Sequence, residues 1–329
     1  MDNPDVIVIG AGVVGLSVAL AAQARRLNVR VIDREGPGAG ASAGNAGAFA
    51  FTDILPLASP RIIRQAPKWL LDPLGPLSVP PSYALKIAPW MLRFWRASWP
   101  ARVRASTVAQ TAMMGFSKAA LEPFLDRAGL THMLRHQGQL QVYEGEAEFN
   151  ASLAGWKTRA EAGIEVQHLK GDQIAEVQPG LDPRFTHASF TPGWYSISDP
   201  LDYTLALADR FREAGGQIVI AEAQALTDGG VQTSVGKMTG RIVLAAGAFS
   251  HLLARTAGVK IPLETERGYN TTLPADAFDL RTQITFGGHG FVVSSLGSGI
   301  RVGGAVELGG LKLPPNYARA DAMLTKAKR

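Results

Sequence analysis

The chain has 329 residues, more than the roughly 100–200 of a single compact domain, so two connected domains are expected. Hydrophobic residues make up 46% and charged residues 19%, which supports a real core and excludes a disordered chain. Cysteine is absent, which excludes disulfides, thiolate metal sites, cysteine nucleophiles and any cofactor tethered through sulfur.

The net charge of +5 is unevenly placed. Residues 61–104 hold eight basic side chains (Arg61, Arg64, Lys68, Lys86, Arg93, Arg96, Arg102, Arg104) against one acid, Asp72. That window is therefore +7 and the remainder is −2. A basic excess confined to one segment argues against nucleic acid as a partner, because such binding needs cations spread over a groove-tracking face. The N-terminus, Met-Asp-Asn-Pro-Asp, lacks the cationic start of a secretory signal. The longest apolar stretch, 6–22, is broken by Gly10, Gly12 and Gly15 and falls short of the ~20 apolar residues of a span. A cytoplasmic location is expected.

In chain order, Val6-Ile7-Val8-Ile9 is the β-branched run of a buried parallel strand. Gly10-Ala11-Gly12-Val13-Val14-Gly15 follows, then a helix from Leu16 to Arg26, and a strand from Val29 to Ile32 ending in Asp33. Strand, G-x-G-x-x-G, helix, strand and acid in this order form a dinucleotide site. Gly10 makes the tight turn, Gly12 admits a pyrophosphate and Gly15 lets helix and strand pack. The helix N-terminus offers unpaired N–H groups to the phosphates. Asp33 can accept from ribose hydroxyls and would repel a 2′-phosphate, which disfavours NADP and leaves NAD and FAD. The small-residue loop 36–47 implies backbone lying against a flat ligand. Gly40-Ala41-Ser42-Ala43-Gly44 also matches the hydrolase nucleophile elbow, but Glu-Gly-Pro-Gly-Ala stands where that motif needs a strand.

Residues 53–130 are rich in proline, tryptophan and basic side chains. Within them, 89–99 is amphipathic at helical spacing and Pro100 interrupts it. Its aromatic stripe is expected to pack on its own domain, with an anionic membrane surface as the alternative partner. Gln139–Tyr143 alternates like a strand, Glu146–Gly163 reads as a helix and Glu165–Leu169 as another strand. His132 and His136 stand four apart, a metal-pair spacing on a helix, yet no third ligand accompanies them. Asp199-Pro200 opens a helix through Leu201–Ala214 that Gly215-Gly216 ends, before a strand at Gln217–Ile220. Arg241–Ser250 is an apolar strand ending in small residues. Strands are expected over Thr282–Phe286, Gly290–Leu296 and Ile300–Leu308, and a helix over Tyr317–Arg329.

Val6–Gly15, Asp33, Gly40–Gly47, Arg241–Ser250 and Pro262–Tyr269 together resemble the FAD-dependent D-amino-acid dehydrogenase group. That group lies within the D-amino-acid oxidase, glycine oxidase and sarcosine oxidase superfamily. The resemblance implies an α/β and α+β chain: a Rossmann-like FAD-binding domain, split into 1–52 and 198–258, with an inserted mixed-sheet substrate domain at 53–197 and 259–329. It implies that Gly10, Gly12, Gly15, Asp33 and Arg34 bind the ADP half, with Ala223 at the adenine. Ser42, Asn45, Ala46 and Gly47 would follow the pyrophosphate and flavin, and Ala246 and Gly247 would approach the cofactor by their backbone. Arg267, Tyr269, His289 and Arg301 are the polar candidates for facing the flavin, with Arg267 and Arg301 gripping a carboxylate. Relatives carry histidine where Asn270 stands here.

The activity so implied is oxidation of an amino acid, most of all a D-amino acid, to the imine and keto acid by hydride transfer to flavin N5. The electrons would pass to a quinone chain or to oxygen, and family dehydrogenases resemble peripheral enzymes at the inner face of the cell membrane. The alternatives are oxidation of a secondary amine such as sarcosine or a hydroxyproline, an FAD-binding subunit without independent turnover, and an NAD-dependent dehydrogenase. Relatives also continue past the last helix into a further flavin-contacting segment, so a fragment, a second chain completing the FAD domain, or weak FAD binding is expected.

Overall fold

The structure, a computed structural model, describes residues 3–60, 62–64, 66, 75 and 77–328. Arg61, Lys68 and Asp72 of the basic window lie outside the described residues. The chain divides into two compact units, Met1–Asn45 with Ala128–Leu130 and Asp199–Leu263, and Ala46–Arg127 with Thr131–Ser198 and Glu264–Arg329. Among the described residues no helix is long and apolar enough to cross a membrane.

The first unit is built on strand β1 (Val6–Ile9), helix α1 (Val13–Gln23) and strand β2 (Val29–Asp33). A four-stranded, all-parallel sheet runs in the order Gln217–Ile220, β2, β1, Arg241–Leu244. Its central strand, β1, reads as an unbroken β-branched run because both of its faces are covered. Val6, Val8, Val29 and Val31 pack with Ala19 of α1 and Phe211 on one side. Ile7, Ile9 and Ile32 pack with Val231 and Leu253 on the other. Each such side chain, fully withdrawn from water, contributes about 1.5–3 kcal/mol. The helix Pro200–Glu213 starts as its sequence dictates, since the Asp199 carboxylate accepts from the backbone N–H groups of Leu201 and Asp202. It ends where Gly215, at φ +84°, lets Gly216 N–H reach the Phe211 carbonyl. A separate antiparallel sheet of Ala223–Thr227, Gly230–Thr233 and Gly236–Thr239 lends Val231 to the second core.

The second unit carries a mixed sheet in the order Arg267–Leu273, Gly299–Glu307, Phe291–Leu296, Gln283–Phe286, Gln139–Tyr143, His187–Thr191, Gln167–Lys170. Strand alternation makes its two faces chemically unlike. One carries Tyr269, Ile300, Val302, Phe291 and Val293 under Ala320 and Met323 of the helix Ala318–Ala327. The same face continues with Leu140, Val142, Ala188 and Ile284, packed by Ile174 and Phe185. By register the opposite face carries Thr272, Arg301, Ser294, Gln283, Gln139, Thr191 and Ser189. Its far end lies under the helix Glu146–Glu161, where Trp156 Nε1–H donates to the Tyr143 hydroxyl at 2.6 Å.

The structure places two features that the sequence singles out, a histidine pair for which ordinary packing is the favoured reading and the aromatic stripe. His132 sits in a 3-10 turn, Thr131–Met133, and His136 lies beyond the strand Leu134–Arg135, so they share no helix face. His136 packs on the Tyr195 ring at 4.2 Å instead, and the described residues contain no cluster that could hold a metal. The aromatic stripe divides as well. The helix runs Pro81–Ala97 through Pro89, and a second begins at Pro100. Trp90 and Phe94 stack half-buried at 5.2 Å, but Trp95 and Trp99 are exposed and pack edge-on against each other. The expected inward packing holds for only half of the stripe.

Candidate functional site

Three chain segments of the first unit converge at the carboxyl ends of its parallel strands: the loop after β1, the loop after β2, and the turn after Arg241–Leu244. In open parallel sheets this is where a crevice forms. Here it is a cavity of about 950 Å³.

The glycines have separate steric duties. Gly10 lies at φ +114°, and a Cβ there would run into the Ala245 carbonyl oxygen. That close passage brings Ala245 and Ala246 up to the first loop. A Cβ on Gly15 would strike the Gly10 carbonyl, so this glycine sets how tightly α1 seats against the loop. A Cβ on Gly12 would stand 2.9 Å from the Ser42 hydroxyl oxygen. That hydroxyl accepts from Val13 N–H at 3.0 Å, so Ser42 sits at the N-terminus of α1. Asn45 steadies the same loop by donating from its side chain to the Ser42 carbonyl at 2.8 Å.

Asp33 ties the two loops together. One carboxylate oxygen accepts from Ala11 N–H at 2.8 Å, and the other accepts from Glu35 and Gly36 N–H, each at 2.9 Å. The carboxylate thus pins both loops, and because it also lines the cavity it has acceptor capacity left for a hydroxyl donor there. Arg34 lies with its guanidinium 4.1 Å from the Phe249 ring centre and pairs with Glu35 at 2.8 Å. The ion pair is exposed and contributes little, whereas the ring contact orients a planar cation along the cavity.

Of the expected cofactor residues, Gly10, Gly12, Asp33, Arg34, Ser42, Asn45, Ala223, Ala246 and Gly247 line this cavity. Gly15 stands behind the lining, where its role is packing. Ala46 and Gly47 belong to the second unit, where the Gly47 carbonyl accepts from Ile197 N–H at 2.7 Å. Glu35 and Phe249 were not foreseen. Nothing in their local pattern marks them, because both enter through loop geometry. A glycine cradle, a helix N-terminus and an acid with an open lone pair are donors and acceptors that suit a dinucleotide.

The four expected substrate-side residues do not come together. Arg267 donates from Nη1 to Glu307 at 3.0 Å and from Nη2 to the Leu313 carbonyl at 2.7 Å. The Tyr269 hydroxyl donates to the other Glu307 oxygen at 3.1 Å and accepts from Asn316 N–H at 2.8 Å. This network lies on the helix-covered face, and both partners of Glu307 are committed to it. A bulge puts Glu307 there. Arg267 pairs with Glu307 but Tyr269 with Gly304, so one extra residue intervenes, with Ala305 at φ +52°. One added residue reverses the parity of the strand and turns Glu307 to the Tyr269 face. Arg301 projects from the opposite, polar face beside Thr272, whose hydroxyl takes its Nε–H at 3.3 Å. His289 sits in the turn after Gln283–Phe286, its Nε2 at 2.9 Å from Glu144 and its ring beside Phe185 and Phe291.

Residues 5–329 match the family described as FAD dependent oxidoreductase. A D-amino-acid oxidase of Bradyrhizobium diazoefficiens is 32% identical over 327 residues, covering 97% of this chain and 77% of that protein. A D-amino acid dehydrogenase of Rhodopseudomonas palustris is 28% identical, covering 94% and 76%. Among solved structures, glycine oxidase from Geobacillus kaustophilus superposes with a TM-score of 0.72 at 19% identity, over 99% of this chain and 78% of that one. With the cradle, Asp33 and a match along nearly its whole length, the chain belongs to the family of FAD-dependent oxidoreductases.

Proposed function

We propose that this chain oxidises a D-amino acid to its imine, which hydrolyses to the keto acid, with FAD as the electron acceptor in the first half-reaction. The observation that carries the reading is the cavity at the strand ends, where the Gly10 turn, the α1 N-terminus and Asp33 converge. The substrate class is supported by the 32% identity to a protein named D-amino-acid oxidase.

In this reading Gly10, Gly12, Asp33, Arg34 and Ala223 hold the ADP half, while Gly15 keeps α1 close enough to do so. Ser42, Asn45, Ala46, Gly47, Ala246 and Gly247 follow the pyrophosphate and the flavin. FAD, when bound, would supply the two-electron chemistry as the acceptor of the α-hydrogen's electron pair. The protein's part is orientation. Arg301 offers a planar fork suited to a carboxylate, on the polar sheet face. Arg267 and Tyr269 act through Glu307 as positioning residues, holding the strand that bears Arg301 against its neighbour. His289 fastens the adjoining hairpin to Glu144. A substrate amine that reacts in its neutral form needs no dedicated base.

The test begins with the visible spectrum of the chain reconstituted with FAD, which should show bound flavin. Anaerobic titration with D- and L-amino acids, sarcosine and hydroxyprolines then reads the donor. Reduction by D-amino acids supports the reading. Reduction by secondary amines alone replaces it, and bound flavin that no donor reduces points to an FAD-binding subunit. Oxygen uptake against reduction of a soluble quinone separates the two electron acceptors.

A further inference from the structure

The polar face of the second unit's sheet carries one row of side chains that crosses its strands. Thr272 stands opposite Arg301, and Arg301 opposite Ser294. The pairing of Gln283–Phe286 with Phe291–Leu296, carried one residue on, puts Gln283 opposite Ser294. Ser294 is only 3% exposed, and its buried Oγ meets no hydrogen-bond partner among the described residues. Buried hydroxyls are ordinarily paired, so one that is not marks a place for a further polar group. Gln283 is also buried, and its Oε1 accepts from Trp194 Nε1–H at 2.7 Å. An indole nitrogen can only donate, so this contact fixes which end of the amide is oxygen. The two Nε2 hydrogens, which meet no acceptor among the described residues, are thereby left to a ligand. On the four strands from Arg267–Leu273 to Gln283–Phe286, register puts no acidic residue on this face. The loop at Gly47, which the FAD reading sets along the flavin, crosses the same face. A Cβ on Gly47 would stand 3.0 Å from Cδ2 of Leu296, two residues along from Ser294.

We propose that Gln283 and Ser294 form the side-chain end of the substrate site and select a five-carbon D-amino acid with a terminal oxygen acceptor, D-glutamate or D-glutamine. This rests on the reading that Arg301 takes the α-carboxylate, and it adds what meets the other end. Arg301 and Gln283 stand two strand spacings apart, about 9.6 Å at the backbone. The end carbons of a five-carbon chain lie about 5 Å apart. A hydrogen bond of about 2.9 Å at each end completes a span of that order. Gln283 Nε2–H and the Ser294 hydroxyl donate to the terminal group. An apolar side chain of the same length leaves both donors unmet, and discrimination of that kind is strong. Trp194 holds the Gln283 amide in the donating orientation and is a positioning residue.

The test is anaerobic reduction of the FAD-reconstituted chain by D-glutamate, D-glutamine and D-norvaline, the last an apolar chain of the same carbon count. Binding of glutarate and of pentanoate to the same holoenzyme is measured by calorimetry. D-Glutamate and D-glutamine should exceed D-norvaline in kcat/KM by about ten- to a hundredfold, and glutarate should bind about tenfold more tightly than pentanoate. Gln283→Glu keeps an acceptor for Trp194 but replaces the amide donors by a carboxylate. It should cut the ratio of D-glutamate to D-norvaline by about tenfold or more, and Ser294→Ala should cut it by about fivefold. The visible spectrum of bound flavin checks that both variants are folded. Equal use of D-norvaline, or a ratio that neither variant lowers, overturns the proposal and leaves oxidation of D-amino acids standing. If no amino acid reduces the flavin, a glutarate preference that Gln283→Glu abolishes supports the site while the oxidation reading falls. Without that preference both fall.

Discussion

The Ser42 hydroxyl accepts the Val13 amide proton at 3.0 Å, so a side chain 29 residues downstream closes the first turn of α1. The missing Cβ of Gly12 makes room for it. Because that hydroxyl accepts through a lone pair, its own hydrogen is available to an anion at the helix N-terminus. One serine therefore links two loops and stands at the helix N-terminus, where an anion would be favoured.

Ser42→Ala should bind FAD roughly tenfold more weakly, the loss of one hydrogen bond to a charged group at about 1.5 kcal/mol. Titration of flavin fluorescence checks it, and an unchanged dissociation constant would remove Ser42 from the phosphate position.

Gly10→Ala should lose about 3 kcal/mol or more, since the new Cβ meets the Ala245 carbonyl at a φ of +114°. Gly40 has open space around the same atom and no positive φ, so Gly40→Ala should change stability by less than about 0.5 kcal/mol. Thermal melts of the two variants side by side test the steric account.

Glu307 and Arg301 should separate by readout although they share a strand. Glu307→Ala leaves Arg267 without its carboxylate in a largely buried network and should cost about 3–5 kcal/mol of stability. Arg301→Ala should lower kcat/KM for an amino acid by about ten- to a hundredfold, as for a lost charge-assisted contact, in enzyme that still binds FAD. Lysine at 301 should restore only part of it.

Burial pushes the Tyr203 hydroxyl up to about 12 from its ordinary value near 10. The folded state holds its proton more tightly than the unfolded one, so its contribution is complete below pH 10 and is lost as pH rises toward 12. The wild-type chain should lose about 2–3 kcal/mol over that interval that Tyr203→Phe does not lose. Denaturant melts at pH 9, 10 and 11 should show about half of that difference, about 1.4 kcal/mol, by pH 11.

The first unit was legible because its chemistry is local. Val6–Ile9, the three glycines and Asp33 lie within 28 residues of one another, and each obeys a steric rule that reads directly from residue type. Asp199-Pro200 and Gly215-Gly216 are similarly local signals for one helix. The substrate side was not legible in the same way. Arg267, Tyr269 and Arg301 look alike as polar residues on neighbouring strands, but the face each occupies depends on register and on the bulge at Ala305. No short pattern announces that bulge, so Glu307, the residue that organises two of the three, was missed. Phe249 under Arg34 was missed for a related reason, because the contact joins segments more than 200 residues apart.

Anaerobic titration of the FAD-reconstituted chain with paired D- and L-enantiomers tests the central claim most directly. The account predicts that D-amino acids bleach the visible flavin absorption while their L-enantiomers leave it intact, and that the Arg301→Ala variant bleaches only at much higher concentration. A flavin that binds but is reduced by the L-enantiomers alone, or by no amino acid at all, would contradict it.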